Sequence, residues 1–216
     1  MKRTGLILIG LTIAILINGQ TIKIQGGTSI SKLDWVPKGL NLDPVYHEAI
    51  ISYSIFGGFD FLEKQYSNLS SSIGMIRKGG KSEFPVYDQN LELIGQIMQK
   101  PFLDYLSINT TIDLKYELIK AISPFLSFGP RFDYIINSSN HFDSLKDINE
   151  LKKSTFGLIL GVGLRYDLSK FHLGLRSDYY YDFTKIADWT IDNTAIGGEV
   201  TANTYTINLT LGYRLR

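Results

Sequence analysis

Long segments of alternating residue type constrain this chain more than any other feature of its sequence. Along residues 156–166 the even positions are all apolar or aromatic, and the positions between them are glycine, isoleucine and arginine. Residues 171–181 and 205–215 alternate in a similar way. A period of two residues is that of a β-strand with two different faces, whereas an amphipathic helix repeats at three and four residues. These three segments therefore predict strands.

Five further segments follow the same rule less regularly. They span residues 22–32, 49–61, 66–77, 104–116 and 122–136. The eight predicted strands have roughly 10–15 residues each, whereas soluble strands average about 5–6. A tilted strand needs ~9–11 residues to cross a bilayer, so these strands are long enough to do so. Pro130 lacks an N–H group, and we expect a local distortion of the fifth strand there.

The connections between the predicted strands alternate between short and long. Short connections such as residues 167–170 alternate with connections of roughly 15–25 residues. Short turns on the periplasmic side and long loops on the outer side are the layout of an outer-membrane barrel. The sequence therefore predicts an all-β fold, an eight-stranded antiparallel up-and-down transmembrane β-barrel, located in the cell outer membrane of a Gram-negative cell envelope.

The first twenty residues have the pattern of an export signal. Lys2 and Arg3 precede an apolar run over residues 5–17, which polar and small residues follow. At about 13 residues this run is shorter than the ~20 that a membrane-spanning helix needs. We therefore expect residues 1–20 to be a signal peptide cleaved after Gly19 or Gln20, and residues 21–216 to form the barrel domain.

Composition excludes several classes of function. The 22 Lys and Arg balance 21 Asp and Glu, and a net charge of +1 gives no electrostatic basis for binding nucleic acid. The chain has no cysteine, which excludes disulfides, zinc-thiolate sites, iron–sulfur clusters and thiol nucleophiles. A mean hydropathy of +0.01 argues against membrane helices only, because it averages two opposite strand faces. No cofactor or metal site is predicted.

Aromatic residues on the outward faces gather at the strand ends. Those at the periplasmic ends are Phe61, Tyr116, Tyr166, Phe171 and Tyr213, and those at the outer ends are Tyr134, Tyr179, Tyr181 and Tyr205. Aromatic rings favour the headgroup level of a membrane, and outer-membrane barrels carry such rings at both interfaces. This pattern predicts contact with outer-membrane lipid.

The inward faces carry charged residues. A predicted structural cluster in the lumen comprises Asp113, Lys115, Arg131, Asp133, Arg165, Arg176, Asp178 and Arg214, and Lys23, Asp60 and His172 also face inward. Eight strands enclose a space just wide enough for side chains, and buried charges persist only when paired. We therefore expect a salt-bridged plug, with Arg176 and Arg165 paired to Asp178, Asp133 or Asp113. A narrow conducting pore or a catalytic constellation is the alternative.

Three motifs suggest chemistry but have simpler interpretations. Residues 161–163 (Gly-Val-Gly) lack the third glycine and the helix of a dinucleotide site, and we expect them to make room for arginine side chains. Residues 77–81 (Arg-Lys-Gly-Gly-Lys) lack the spacing of a phosphate-binding loop and are interpreted as a glycine turn at the barrel rim. A rim-active enzyme, of lipid acyltransferase or protease type, would use His47 or His141 with Asp143, Asp147, Ser138 and Ser139.

Several local motifs together resemble the PorT-like outer-membrane β-barrel family of Bacteroidota. The similarity runs from residue 26 to the end of the chain, and its motifs are residues 57–59 (Gly-Gly-Phe), 77–81, 124–130 (Pro-Phe-Leu-Ser-Phe-Gly-Pro), 156–163, 173–179 and 211–213 (Leu-Gly-Tyr). The resemblance implies a barrel in the outer membrane. Because the name-giving member is associated with a protein secretion system, it also implies a link to such a machine.

The expected role is that of a monomeric, non-enzymatic scaffold whose loops or turns bind envelope or secretion proteins. One alternative is an accessory subunit of a secretion or surface-assembly machine, and a second is the rim-active enzyme. A third is a soluble binding barrel of the lipocalin kind, which would instead place apolar side chains inside and polar ones outside.

Overall fold

The computed structural model describes residues 19–39, 42–118, 121–190 and 196–215. These residues form ten strands: β1 (Gly19–Lys38), β2 (Glu48–Phe61), β3 (Ser67–Tyr87), β4 (Leu93–Gln99), β5 (Phe102–Lys115), β6 (Ile122–Ser138), β7 (Ser154–Leu168), β8 (Phe171–Asp182), β9 (Ala187–Thr190) and β10 (Gly197–Arg214). A 3₁₀ turn (Asn140–Phe142) and a short helix α1 (Asp143–Asp147) lie between β6 and β7. Among the described residues no helix is both long and apolar enough to cross a bilayer.

Eight of these strands close into an antiparallel barrel. The order around the ring is β1, β2, β3, β5, β6, β7, β8 and β10, and β10 returns to pair with β1. The closing ladder runs from the pair Thr21–Arg214 to the pair Lys38–Gly197. Each barrel strand pairs with the barrel strands before and after it in the chain, as an up-and-down meander requires. The predicted eight-stranded fold is confirmed.

The strands extend further at the extracellular end than the sequence predicted. β1 continues to Lys38 instead of residue 32, β3 to Tyr87 instead of residue 77, and β10 begins at Gly197 instead of residue 205. The first connection, expected to have 15–25 residues, comprises only residues 39–47, whereas the connection between β6 and β7, residues 139–153, has an expected length. The expected length was therefore wrong for the first connection. These extensions are stable because the β1–β10 ladder remains paired as far as Lys38–Gly197, and because apolar side chains such as Leu33 and Val200 are buried on their inner faces.

Two strands outside the ring were not predicted. β4 forms a hairpin with β3, from the pair Ser82–Gln99 to the pair Tyr87–Leu93. β9 pairs with the beginning of β10. Both strands belong to segments that were expected to be loops, and both extend the barrel wall at its extracellular end.

Pro130 interrupts a ladder without changing its register. β6 pairs with β5 up to Asn109–Arg131 and again from Ile112–Phe128. Each strand advances by three residues between these two pairs, so the register is unchanged. On its other side Pro130 pairs with Leu158 of β7. The expected distortion is thus a gap of two residue pairs in the β5–β6 ladder, with the same register on both sides.

The two faces of the strands differ as the alternation predicted. Along the middle of β10, Ile207, Leu209 and Leu211 are 47%, 69% and 43% exposed, whereas Asn208 between them is 1% exposed. Rings at both ends of the wall contact each other across strands: Phe171 contacts Tyr213, and the half-buried Tyr179 contacts the exposed Tyr205. The outer surface is apolar and the inside polar, which is the reverse of a lipocalin-like barrel.

Most of the predicted signal peptide lies outside the described residues. Residues 1–18 are among those that the structure does not describe, and Gly19 and Gln20 are the first two residues of β1. Three short turns, residues 62–66, 116–121 and 169–170, join the barrel strands at the same end of the ring as the start of β1 and the end of β10. This end corresponds to the periplasmic side of an outer-membrane barrel.

Candidate functional site

The barrel interior is the most unusual part of the molecule, because it contains many charged side chains. The residues predicted for this cluster lie on β5 to β8 and at the end of β10: Asp113, Lys115, Arg131, Asp133, Arg165, Arg176, Asp178 and Arg214. Six of them are at most 6% exposed, and Lys115 and Arg214, at the periplasmic ends of their strands, are half-buried. Charges of this burial need partners, which the structure supplies at three levels of the barrel.

The middle level is centred on Arg176. Its Nε lies 2.7 Å from Oδ1 of Asp178, and its Nη1 lies 3.7 Å from Oδ1 of Asp113. Asp113 also accepts hydrogen bonds from Ser127 Oγ and from Asn68 Nδ2 at 3.2 Å. Arg176 therefore pairs with two of the three carboxylates that the sequence offered it. Both carboxylates pair with this guanidinium, and Asp113 has its neutral donors in addition.

The level nearest the extracellular side includes two residues that the sequence analysis missed, Lys78 and Asp182. Lys78 Nζ lies 2.9 Å from Oδ2 of Asp133 and 3.3 Å from Oδ2 of Asp182. Arg131 also pairs with both carboxylates. Two cations and two anions thus form a neutral group in which each charge contacts two of the opposite sign.

Aromatic rings surround this neutral group. Lys78 Nζ lies 4.9 Å from the ring centre of Tyr105, and the guanidinium of Arg131 lies 4.7 Å from that of Tyr180. Both tyrosines are buried. A cation over the face of an aromatic ring is attracted by its quadrupole, most strongly where water is excluded. The rings therefore stabilise the charges as well as filling the lumen around them.

The periplasmic level corrects the expected pairing of Arg165. Arg165 binds Glu63 at 2.8 Å and Asp167 at 2.9 Å, and not Asp178, Asp133 or Asp113. It lies close to the end of β7, where the carboxylates within reach are those of the β2–β3 turn and of its own strand end. Asp167 also accepts from Arg214 at 2.6 Å.

Glu63 lies in that turn, between two cations. It accepts a hydrogen bond from Lys115 at 3.2 Å and forms an ion pair with Arg165 at 2.8 Å. Burial alone would raise the pKa of Glu63, but the charges of Arg165 and Lys115 outweigh it and hold the pKa below its ordinary value. The carboxyl therefore remains ionised and ties the turn to the walls formed by β5 and β7.

Little space is left between the middle and periplasmic levels. A cavity of about 30 Å³ is lined by Asp60, Asp113, Arg165 and His172, among others. A water molecule needs roughly 10–15 Å³ of such space, so the cavity has room for about two. Lys23 binds Asp60 at 2.7 Å and occupies the adjoining part of the lumen.

An apolar cluster covers the extracellular mouth of the barrel. Phe142 stacks on Trp35 with 5.7 Å between ring centres, and Trp35 also contacts Tyr46 and Trp189. Leu33, Leu145, Ile186, Ala187 and Val200 complete this cluster, and all five are at most 3% exposed. These residues come from β1, β9, β10 and three connections, so parts of the extracellular loops are packed over the lumen.

Gly161 makes room for a carboxylate and not for an arginine. A Cβ atom on Gly161 would lie 2.1 Å from Oδ1 of Asp178, its partner across the β7–β8 ladder. A Cβ on Gly163 would instead meet the ring of Phe125. The expectation that arginine side chains fill this space was wrong at these two positions, although the glycines do serve to admit inward side chains.

The basic glycine-containing segment is a continuous part of β3 and not a turn. Gly80 pairs with Ala49 of β2, and Gly79 pairs with Phe102 of β5. A Cβ on Gly80 would lie 2.0 Å from the backbone oxygen of Tyr46, so the first loop packs directly on this strand. The interpretation as a rim turn was wrong, and with it the placement of Lys78. Inward residues of β3 have even numbers. Had the predicted strand ended one residue later, at residue 78 instead of 77, Lys78 would have been assigned to the inward face.

The residues of the alternative rim enzyme are not brought into a catalytic arrangement. His47 Nδ1 contacts the backbone oxygen of Pro44, and the ring of His141 packs against Tyr46. Asp143 binds Lys146, and Ser139 Oγ accepts from the backbone of Phe102. Within the described part of the chain, no hydrogen bond joins either histidine to Asp143, Asp147, Ser138 or Ser139.

Sequence comparison identifies the family. A family model described as "Outer membrane protein beta-barrel domain" matches residues 18–188, which is most of the chain. No curated protein matches the chain.

Solved structures with a similar fold come from several bacteria. The outer membrane protein OprG of Pseudomonas aeruginosa aligns with a TM-score of 0.52 and 10% identity, over 91% of this chain and 97% of its own. The outer membrane protein W of E. coli aligns with a TM-score of 0.46 and 10% identity, over 91% and 98%. Neisserial surface protein A aligns with a TM-score of 0.44 and 11% identity, over 90% and 97%. At 10% identity the likeness to OprG concerns the fold alone. With its closed ring of eight strands and its apolar outer wall, the chain is an integral barrel of the bacterial outer membrane and belongs to the outer membrane protein β-barrel domain family.

Proposed function

We propose that the protein is a non-enzymatic outer-membrane scaffold with a sealed lumen, whose extracellular end binds an envelope protein. The observation that carries the first part is the succession along the barrel axis of three ion-pair levels beneath an apolar cover. A passage through the barrel would have to separate several of these pairs. Breaking one buried pair costs roughly 3–5 kcal/mol, so a spontaneous opening is rare.

Planar lipid bilayer recordings test the sealed lumen. The purified protein, inserted into bilayers at neutral pH, is expected to leave the membrane without large, steady conductance steps. A reproducible unitary step under these conditions would contradict the proposal and favour a narrow pore. The Phe142→Ala variant serves as a comparison, since it removes a side chain from the cover and leaves the three ion-pair levels intact.

The hairpin of β3 and β4 supports a partner-binding role. It carries exposed apolar residues on both faces, with Leu91 83%, Ile94 65% and Ile97 50% exposed. β4 pairs with β3 on one side, and the described residues place no strand on its other side. Exposed apolar patches mark interaction sites, and a free strand edge can pair with an extended segment of a partner. The proposed partner therefore adds a strand to the edge of β4.

The resemblance of local motifs to the PorT-like family supports a finer proposal. In this proposal the partner belongs to a protein secretion or surface-assembly machine, and the chain is an accessory subunit. The exposed hairpin favours the accessory-subunit proposal over a barrel that acts alone, since an apolar strand edge outside the membrane is unfavourable in water unless a partner covers it.

Affinity purification from crosslinked outer membranes tests both proposals. The Ile94→Ser/Ile97→Ser variant changes the hairpin, and a matched control, Ile148→Ser/Phe183→Ser, changes two exposed apolar residues elsewhere on the extracellular side. We expect the wild type and the control to retain one common envelope protein and the hairpin variant to lose it. Equal recovery of the same proteins by both variants would argue against the hairpin, and recovery of a partner without secretion components would argue against the finer proposal alone.

A further inference from the structure

A row of polar side chains crosses the outer wall of the barrel near its extracellular end. Arg77 of β3, Asp104 of β5 and Asn137 of β6 are ladder partners in adjacent strands. Arg77 binds Asp104 through Nε and Nη2 at 2.7 and 2.9 Å, and Asn137 Nδ2 donates to Asp104 at 3.0 Å. The hydroxyl of Tyr53 on β2 donates to the same carboxylate at 3.1 Å.

This row lies on the lipid-facing side, at the height of the outer aromatic girdle. Arg77 has the same parity on β3 as the exposed Ile73 and Met75, and Leu106, the next outward residue of β5 after Asp104, pairs with the girdle residue Tyr134. A charge facing lipid hydrocarbon would need a neutralising partner, and Asp104 is only 4% exposed, with three side chains bonded to it: Arg77, Asn137 and Tyr53. Arg77 is held in addition by Phe102, whose ring centre lies 3.9 Å from the guanidinium.

A groove of about 560 Å³ adjoins the row. Its apolar lining comprises Ala49, Ile50, Ile51 and Phe102. Three cations, Arg77, Lys81 and Lys100, lie along it together with Ser52. The groove therefore combines an apolar wall, continuous with the lipid-facing surface, with a basic edge on the extracellular side.

Among the residues that the structure describes, the charges at this edge are not fully balanced. Ser82 pairs with Gln99, and the N–H of Gly80 donates to the carbonyl of Pro101. Lys81 and Lys100 therefore lie opposite each other, one position beyond the end of the β3–β4 ladder. Like charges in such positions repel each other. Lys81 has a carboxylate, Glu48, at 3.3 Å, whereas the described residues include no hydrogen-bond or ion-pair partner for Lys100.

We propose that this groove binds a phosphorylated lipid of the outer leaflet. The phosphate lies between Lys81 and Lys100 and removes their repulsion, and an acyl chain lies against Ile51 and Phe102. Arg77 acts as a positioning residue, because Asp104 already occupies two of its donors. A lipid is favoured over a soluble anion because the apolar wall of the groove continues into the hydrocarbon-facing surface, where only a lipid presents both a phosphate and a chain.

Native mass spectrometry of the full-length protein in detergent tests this inference. The probes are dioleoyl phosphatidate, which carries a phosphate monoester, and dioleoyl phosphatidylcholine, which has the same chains and no net charge. We expect the wild type to bind one phosphatidate at least about tenfold more tightly than phosphatidylcholine. The Lys81→Gln/Lys100→Gln variant is expected to lose this preference.

The matched control is Lys64→Gln/Lys170→Gln, which removes two exposed charges at the periplasmic turns. It should keep the preference for phosphatidate, and the heat-modifiable migration of each variant on gels verifies that it is folded. Equal affinity of the wild type for both lipids would overturn the inference, and so would an equal loss in the variant and the control. Displacement of phosphatidate by an equal concentration of inorganic phosphate would also overturn it, because the chain would then contribute nothing.

Discussion

The ammonium group of Lys78 lies 2.9 Å from the carboxylate of Asp133, and both side chains are completely buried inside the barrel. Lys78 belongs to β3, Asp133 to β6 and its second partner Asp182 to the end of β8. These strands are not neighbours in the ring. The ion pairs therefore connect walls of the barrel that no backbone hydrogen bond joins.

Removing this cation should destabilise the barrel strongly. In Lys78→Met two carboxylates share the single charge of Arg131, and the loss of one partner from a buried pair costs about 3–5 kcal/mol. The free energy of unfolding, from urea titration of the protein in lipid vesicles, measures the effect. Lys32→Met, which changes a half-exposed lysine, is the control. Lys78→Met/Asp133→Asn leaves Arg131 balanced by Asp182 and should be more stable than the single variant. A double variant that is less stable would refute the charge-balance account.

A side chain at Gly129 should reduce the stability of the barrel, whereas a side chain at Gly26 should not. A Cβ on Gly129 would lie 2.0 Å from the backbone oxygen of Thr110, but on Gly26 it would have no atom within 4 Å. Because the obstacle is backbone, Gly129→Ala is expected to lower the free energy of unfolding by about 1–3 kcal/mol. Gly26→Ala should be neutral or slightly stabilising, since glycine is unfavourable within strands. The same urea titrations compare the two, and similar values for both would show that the barrel wall can yield at Gly129.

An ion network outside the membrane should make stability depend on pH in strongly acidic solution. Lys38 binds Asp188 at 2.6 Å and Glu199 at 3.0 Å, and Lys185 binds the same two carboxylates. Hydrogen bonds from Lys38 and Lys185 lower the pKa of Asp188 to about 2, from an ordinary value of 3.8. The unfolded state therefore binds a proton more readily than the folded state, and stability is lost as the pH falls from about 4 to 2.

Thermal unfolding at several pH values checks this expectation. Both tryptophans of the chain, Trp35 and Trp189, lie in the apolar cluster beside the network, so their fluorescence reports on this end of the barrel. Asp188→Asn should reduce the fall in the midpoint between pH 4 and pH 2, while the control Asp147→Asn should leave it unchanged. An unaltered pH profile in Asp188→Asn would rule out this network as the source.

The apolar cover should respond to the loss of one ring. Phe142 is fully buried, and truncation of a buried phenylalanine to alanine costs about 3–5 kcal/mol. Phe142→Ala should shift the tryptophan emission to the red, because Trp35 loses its stacked neighbour and gains contact with water. Phe183→Ala, on the same side but 61% exposed, should change stability by no more than about 0.5 kcal/mol. Unchanged emission from Phe142→Ala would mean that the ring does not shield Trp35.

The barrel strands could be predicted from the sequence because the two faces of each strand meet different environments, lipid on the outside and a polar interior on the inside. Successive residues such as Asn208 and Leu209 therefore alternate in polarity, and this alternation identifies the strand. β4 and β9 gave no such signal. β9 comprises only four residues, and both faces of β4 are exposed, so neither strand has a regular inner and outer pattern.

The ion pairs could be predicted only in part. Arg176 and Asp178 lie two residues apart on one face of β8, and their pairing follows from the strand itself. The partner of Arg165 depends on how a turn of another hairpin folds back to place Glu63, which no local pattern encodes. Lys78 was missed for a different reason, since the two glycines after it suggested a turn. In the structure Gly80 packs closely against the first loop, and Gly79 against Ile50 and the backbone of Pro101.

The ladder between β1 and β10 has a consequence for the biogenesis of the protein. It joins residues such as Thr21 and Arg214, which are nearly the whole chain apart, so β1 has no second neighbour until β10 has arrived. Contacts between such distant residues form late, because closing so long a loop is entropically costly. Until β10 has taken its place, the incomplete barrel must therefore be kept from pairing elsewhere. A chain in which only β10 is still unpaired exposes two strand edges, those of β1 and β8, and such edges promote aggregation.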